Sequence, residues 1–196
     1  MQGHTDSPLS ELGIRQARML ARRLAGESFD AIYSSDLGRA RDTAEAIASK
    51  HGLPVNTTPL LRESRLGVLQ GLTRAEIEEK FPADQHSWRR NMLTERPPGA
   101  ETFEEVIERC RQFLEETVST HADSARLAVV GHGGSVRGVI VAALGLPADA
   151  YRRLHFSNAS LTIVETGARP GLWLSNDTCH LAGLRSDEEE IDSVAH

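Results

Sequence analysis

The sequence predicts an α/β layered domain with parallel strands and at least one antiparallel pair near its end. Three observations carry that prediction. Short apolar runs alternate with amphipathic helices along the chain. The run at 126–130 delivers a histidine into the turn Gly131-His132-Gly133-Gly134-Ser135 just before a helical pattern begins. Two alternating runs near the end flank a Gly/Pro turn at 166–171. At 196 residues and 39% hydrophobic content one core is affordable. One domain is expected over 1–185, followed by an acidic tail at 186–196 with almost nothing to bury.

The elements follow in order. Ser10 is a helix N-cap, and Ala17, Leu20, Ala21 and Leu24 recur at helical spacing until Gly26. Residues 29–33 form a short apolar strand. Ser34-Ser35-Asp36 supplies capping side chains for a second helix carrying Ala40, Ala44 and Ile47, closed by Gly52 and Pro54. Residues 55–60 read as another strand, and 61–72 as an ordered loop. Thr73 with Glu76 makes a capping box for a short helix that must stop near Pro82. Residues 83–100 read as an irregular excursion. Thr102 with Glu105 opens the clearest helix, whose Phe103, Val106, Ile107, Cys110, Phe113, Leu114 and Val118 form one apolar core stripe. A helix over 135–144 follows the histidine turn, stopped by Gly145 and Pro147. Residues 159–165 alternate as a strand, and 172–174 begin its partner.

A formal charge of −6 and a pI near 5.8 argue against nucleic-acid or anionic-membrane binding, which need a positive surface field. An anionic ligand must then be held by a few local arginines. Two cysteines, Cys110 and Cys179, give neither metal-ligand spacing nor a disulfide framework, so a reducing compartment, the cytoplasm, is expected. No apolar stretch is long enough to span a bilayer, and the first residues lack the features of a signal peptide.

Three segments carry candidate chemistry. Residues 34–44 place Arg39 and Arg41 in the first turns of a helix, where cations oppose the helix dipole unless an anion is bound. A guanidinium clamps two phosphate oxygens in one plane, although ordinary surface arginine fits this segment too. Glu63 sits in a loop among apolar residues, a setting suited to protonating a leaving oxygen. Taken alone it equally fits a solvated carboxylate or a pair with Arg62 or Arg65. His132 occupies the glycine turn, where a ligand approaches the backbone closely. A histidine that only caps a buried strand would read the same way.

Competing motifs fail on single residues. A dinucleotide loop needs glycine where Val136 stands, and a serine-hydrolase elbow needs it at Arg137. The histidines offer no zinc spacing.

The segments Gln2-Gly3-His4-Thr5-Asp6-Ser7-Pro8-Leu9-Ser10-Glu11-Leu12-Gly13, Ser34-Ser35-Asp36-Leu37-Gly38-Arg39, Leu61-Arg62-Glu63 with Leu69-Gln70-Gly71, and Gly131-His132-Gly133-Gly134-Ser135 resemble, in this order, the histidine phosphatase superfamily, also called phosphoglycerate mutase-like. Ser157-Asn158-Ala159-Ser160 and 176–181 agree as well. The resemblance implies a three-layer α/β/α sandwich with a mixed, mostly parallel sheet, and chemistry without metal or cofactor on a small phosphorylated substrate. It makes Arg39 a ligand of the transferring phosphoryl group, Glu63 the proton donor to the leaving alkoxide and His132 a stabiliser of the phosphoryl oxygens. Gln2 and Gly3 match a pair lining the substrate mouth, Arg41 a basic position of some members, and Gly133 a backbone contact.

The family's nucleophile is a histidine in an Arg-His-Gly motif on the first strand, and none of the histidines here stands in such a triplet. The fold is therefore expected to lack that first strand, with Met1 an internal methionine of a longer protein. The function expected is a phosphomonoester phosphatase acting through a phosphohistidine intermediate. The alternatives are a non-catalytic phosphate-ester binder or inactive fragment, and a phosphoglycerate mutase. The segment 73–101 is short for a mutase insertion and carries six acids to five bases, although Arg89 and Arg90 there could reach a distal anionic group. Which phosphomonoester is used, and the oligomeric state, stay open.

Overall fold

Helix α1 (Glu11–Leu24) begins where Ser10 Oγ accepts from the Gly13 N–H at 3.1 Å, as expected. Its buried face, Ala17, Leu20, Ala21 and Leu24, is the predicted stripe. The computed structural model describes residues 2–84, 88 and 96–184. The expected acidic tail, Arg89 and Arg90 lie outside the described residues.

Strand β1 (Ala31–Ser35) begins two residues later than the apolar run suggested and ends two residues later, because the ladder continues through the buried Ser34 and Ser35. Helix α2 (Gly38–Ala48) corrects the expected cap. Its N-cap is Leu37, and the Gly38 N–H donates to Asp6 Oδ1 at 2.8 Å, so a carboxylate from the N-terminal segment meets the positive end of the helix. Strand β2 (Val55–Thr58) ends early, since Pro59 opens a 3₁₀ turn (Pro59–Leu61). Helix α3 (Arg74–Lys80) and helix α4 (Phe103–Val118) both start on the predicted capping boxes. Strand β3 (Leu127–Val130) leads into helix α5 (Gly133–Ala143), which starts two residues before Ser135 with His132 as N-cap. Strands β4 (Leu161–Glu165) and β5 (Gly171–Asp177) form the antiparallel pair.

The parallel sheet runs in the order β2-β1-β3. Helices α1 and α2 pack on one face through Leu20, Leu24, Ala44 and Ile47 against Ile32 and Ala128. On the other face Tyr33 meets Phe113 of α4, and α4 packs on α5 through Val106, Ile107, Cys110 and Val141. The chain is thus mixed α/β in three layers. Among the described residues no ladder joins β3 to β4, so the strands form two sheets instead of one.

A cavity of about 1480 Å³ separates the two sheets. It is lined along β3 and β4, by Leu20 and Leu24 of α1 and by Phe113, Leu114 and Val118 of α4. Apolar side chains are exposed within it: Val129 38%, Ile163 47% and Val118 50%. The core stripe expected on α4 therefore ends at this opening, where Val118 meets no opposing layer among the described residues. No helix among the described residues is long and apolar enough to cross a membrane.

Candidate active site

Three parallel strands end on the same edge of the sheet, and each feeds one site residue. The chain leaves β1 toward Arg39 in α2, β2 toward Glu63, and β3 toward His132. The connection from β1 to β2 runs over one face and that from β2 to β3 over the other, so a crevice opens at the carboxyl ends of β1 and β3. Arg39, Glu63 and His132 line the same cavity there, with Gln2, Gly3 and Gly133.

Arg39 is half-buried and has no acidic partner within salt-bridge distance among the described residues. Its Nη1 donates to the Thr5 carbonyl at 2.9 Å and its Nη2 to the Gly3 carbonyl at 2.8 Å. Burial lowers its pKa from the ordinary guanidinium value, against the pull of Glu63 and Asp6. Gly3 holds a left-handed backbone (φ +54°), and a Cβ there would lie 3.0 Å from Gln70 Oε1 and 3.2 Å from Leu66 Cγ. Glycine is therefore required where the chain crosses the guanidinium.

The carboxyl of Glu63 pairs with neither Arg62 nor Arg65. Its Oε1 accepts from the N–H of Ser64 at 2.7 Å and of Gly134 at 2.9 Å, which leaves Oε2 on the side of Gly133. Arg62 instead holds Asp36 through Nε at 2.8 Å and Nη2 at 2.6 Å. That guanidinium keeps the Asp36 carboxyl below the usual carboxylate range.

His132 is neutral at ordinary pH. Burial, followed by the neighbouring Arg39 and Arg109, pushes its pKa down to about 3. Its Nε2 is buried without a hydrogen-bond partner among the described residues, and an orphan of that kind calls for a partner from outside the chain, a water, an ion or a ligand. Gly133 is the first residue of α5, so its N–H belongs to the unsatisfied first turn of a helix. These groups can hold an anion by a guanidinium, an imidazole and a helix start, with a carboxyl alongside to move a proton.

Arg41 stands apart. It lies two residues beyond Arg39, about 200° around the helix, half-exposed beside Glu45 at 3.7 Å, and does not line the cavity. The sequence reading missed Gly134, whose Cβ would fall 2.1 Å from Glu63 Oε1, and the pair Glu101 and Arg109. The doubled glycine after His132 was the available signal for Gly134; nothing local marked Glu101 or Arg109. Among the described residues no group of three or more His, Cys, Asp or Glu is placed to hold a metal ion.

The family model of the histidine phosphatase superfamily, branch 1, matches residues 1–176. A probable phosphoglycerate mutase GpmB of Yersinia pestis (strain Pestoides F) is 39% identical over 198 residues, 96% of this chain and 90% of that protein. The mycobacterial glucosyl-3-phosphoglycerate phosphatase in complex with inorganic phosphate superposes with a TM-score of 0.82 at 35% identity, covering 93% of each chain. YhfR of Bacillus stearothermophilus does so with a TM-score of 0.81 at 32% identity, covering 92% of this chain and 90% of that one.

Proposed function

The chain belongs to the histidine phosphatase superfamily, branch 1, and from that premise we propose that it serves the hydrolysis of small phosphomonoesters through a phosphohistidine intermediate. The observation that carries this reading is the buried, unpartnered Nε2 of His132, a residue that lines the same cavity as Arg39, itself a half-buried cation with only neutral carbonyls for hydrogen-bond partners among the described residues. An anion bound between them satisfies both groups. Arg39 clamps the phosphoryl oxygens, His132 donates to one of them, and the N–H of Gly133 is available to another. Gln2 and Gly3 border the mouth, and Arg41 adds positive field without contact.

In the first step the ester P–O bond breaks and a P–N bond forms, and Oε2 of Glu63 gives its proton to the leaving alkoxide. In the second, water cleaves the P–N bond and returns a proton to Glu63. The phosphoryl acceptor is a histidine on an extended segment seated between β3 and β4. Support for that placement comes from the cavity lined along β3 and β4, which also borders His132.

A mutase reading draws on the names of the curated relatives. It requires a second anion subsite, and of the remaining arginines that line the cavity three are held by carboxylates. Arg23 and Arg126 meet Glu27 and Arg96 meets Glu105, while Arg65 donates to the Gly99 carbonyl and Arg137 lies over the Tyr151 ring with its Nε unpartnered among the described residues. The solved structures that the chain resembles include a phosphatase with inorganic phosphate bound. Hydrolysis is the better supported reading.

The test measures phosphate release from alkyl and aryl phosphates, together with vanadate affinity, for this chain and for one extended upstream in its reading frame. Arg39→Ala should abolish vanadate binding in both, and unchanged affinity would overturn the pocket. Turnover only in the extended chain supports the strand placement; binding without turnover in either supports a non-catalytic binder.

A further inference from the structure

The loop that delivers Glu63 is tied at three main-chain atoms to one ion pair from a different part of the chain. Arg109, in the second turn of α4, donates through Nη1 to the Leu60 carbonyl at 2.6 Å and through Nη2 to the Glu63 carbonyl at 3.2 Å. Its Nε reaches Glu101 Oε1 at 3.1 Å, and Glu101 Oε2 accepts from the Arg65 N–H at 2.7 Å. The two side chains are only 14% and 12% exposed. Residues 60, 63 and 65 are thereby held to the start of α4, while the carboxyl of Glu63 is held to the start of α5 by Gly134.

We infer that Glu101 and Arg109 are positioning residues for the proton donor, fixing the backbone of Glu63 so that its Oε1 stays on the Gly134 N–H and its Oε2 stays toward the substrate cavity. The inference rests on the reading of Glu63 as that donor. A buried ion pair is a poor means of stabilising a fold, because apolar side chains of similar volume commonly do as well. Hydrocarbon cannot donate to two carbonyls and accept from an amide at once, and that is what this pair does. The planar guanidinium fork is essential to it, since a lysine ammonium on a single stem cannot span both carbonyls and the carboxylate. Arg109 and the Arg65 N–H outweigh burial and hold the Glu101 carboxyl below its usual range, so the pair remains charged where the donor works. His4 Nε2 lies 2.7 Å from the same Glu63 carbonyl, and Tyr151 Oη lies 3.1 Å from Ser64 Oγ. Neither reaches residues 60 and 65.

The test compares Arg109→Lys, Glu101→Gln and Glu63→Gln. In the first two, the amides of Ser64 and Gly134 should exchange with solvent at least ~10-fold faster, while those of Ile32 and Phe113 keep wild-type protection. In the upstream-extended chain, kcat/KM on an alkyl phosphate should fall ~100-fold in all three variants and on dinitrophenyl phosphate less than ~3-fold, because a good leaving group needs no proton. Wild-type protection at Gly134 in Arg109→Lys overturns the inference, as does equal loss on both esters in that variant. If Glu63→Gln itself loses both esters equally, the donor reading fails while amide exchange still decides the positioning. Should the single variants unfold, Glu101→Leu with Arg109→Met restores packing without the hydrogen bonds; it should fold and still lose protection at Gly134, and retained protection there overturns the inference.

Discussion

Replacing Gly134 by alanine sets helix propensity against tertiary contact, and the structure says which prevails. Gly134 is the second residue of α5, and in a helix alanine is favoured over glycine by about 0.8–1.0 kcal/mol. The new Cβ would lie 2.1 Å from Glu63 Oε1, 2.3 Å from Ser64 Oγ and 3.0 Å from Tyr151 Oη. Reaching even a 3.0 Å separation moves Oε1 back by about 0.9 Å and breaks its bond to the Gly134 N–H. Tyr151 offers no room, being 2% exposed and stacked on Phe103 with ring centroids 4.7 Å apart. Overpacking of this kind costs roughly 1–3 kcal/mol, which outweighs the helical gain. The net loss of about 1 kcal/mol corresponds to a Tm lower by roughly 2–4 °C for a chain of this size. A displacement near 1 Å at the proton donor is worth about 100-fold in turnover of an alkyl phosphate. Thermal denaturation of this chain, and the rate of the upstream-extended chain on alkyl and dinitrophenyl esters, read the two effects separately. A G134A protein that melts above wild type and keeps its alkyl-phosphate rate would refute the reasoning.

Two further outcomes follow from the same contacts. The neutral His132 has a folded pKa far below its unfolded value, so the unfolded chain binds the extra proton; its contribution to stability is present above about pH 6.5 and is lost as pH falls toward about 3. His132→Gln should flatten the fall of the urea midpoint in that window, by at most ~1.4 kcal/mol per pH unit, and an unchanged slope would exclude the histidine as its source. At the packing of α4 on α5, a Cβ at Gly138 would meet Cys110 Sγ at 2.8 Å and the Val106 carbonyl at 3.2 Å. Gly138→Ala should lower stability by roughly 1–3 kcal/mol in urea unfolding, and a midpoint at or above wild type would show that the two helices can separate without cost.

Where the sequence was legible, the signals were short in range. Thr73 with Glu76 and Thr102 with Glu105 satisfy the first N–H groups of their own helices, so both starts could be read within four residues. The cap of α2 could not, because its carboxylate, Asp6, lies 32 residues away. Arg39 and Arg41 were read together although the helical angle between them lets only one face the cavity, a distinction their spacing already contained. Glu63 was found in the sequence, but its neighbours suggested Arg62 or Arg65 as partners, and the fold gives it two backbone N–H groups instead.

By itself the sequence determined which segments become helix and strand and which three side chains gather at the ends of the parallel strands. Caps, glycine stops and apolar spacing act within a turn or two, and parallel strands joined by crossovers necessarily end on one edge. Tertiary structure alone decided that Gly134 receives the Glu63 carboxyl and that Glu101 and Arg109 clasp the loop carrying it. Those contacts join residues 36 to 71 positions apart, such as Glu101 with Arg65 and Gly134 with Glu63, and no local preference encodes which distant groups will meet once the layers close.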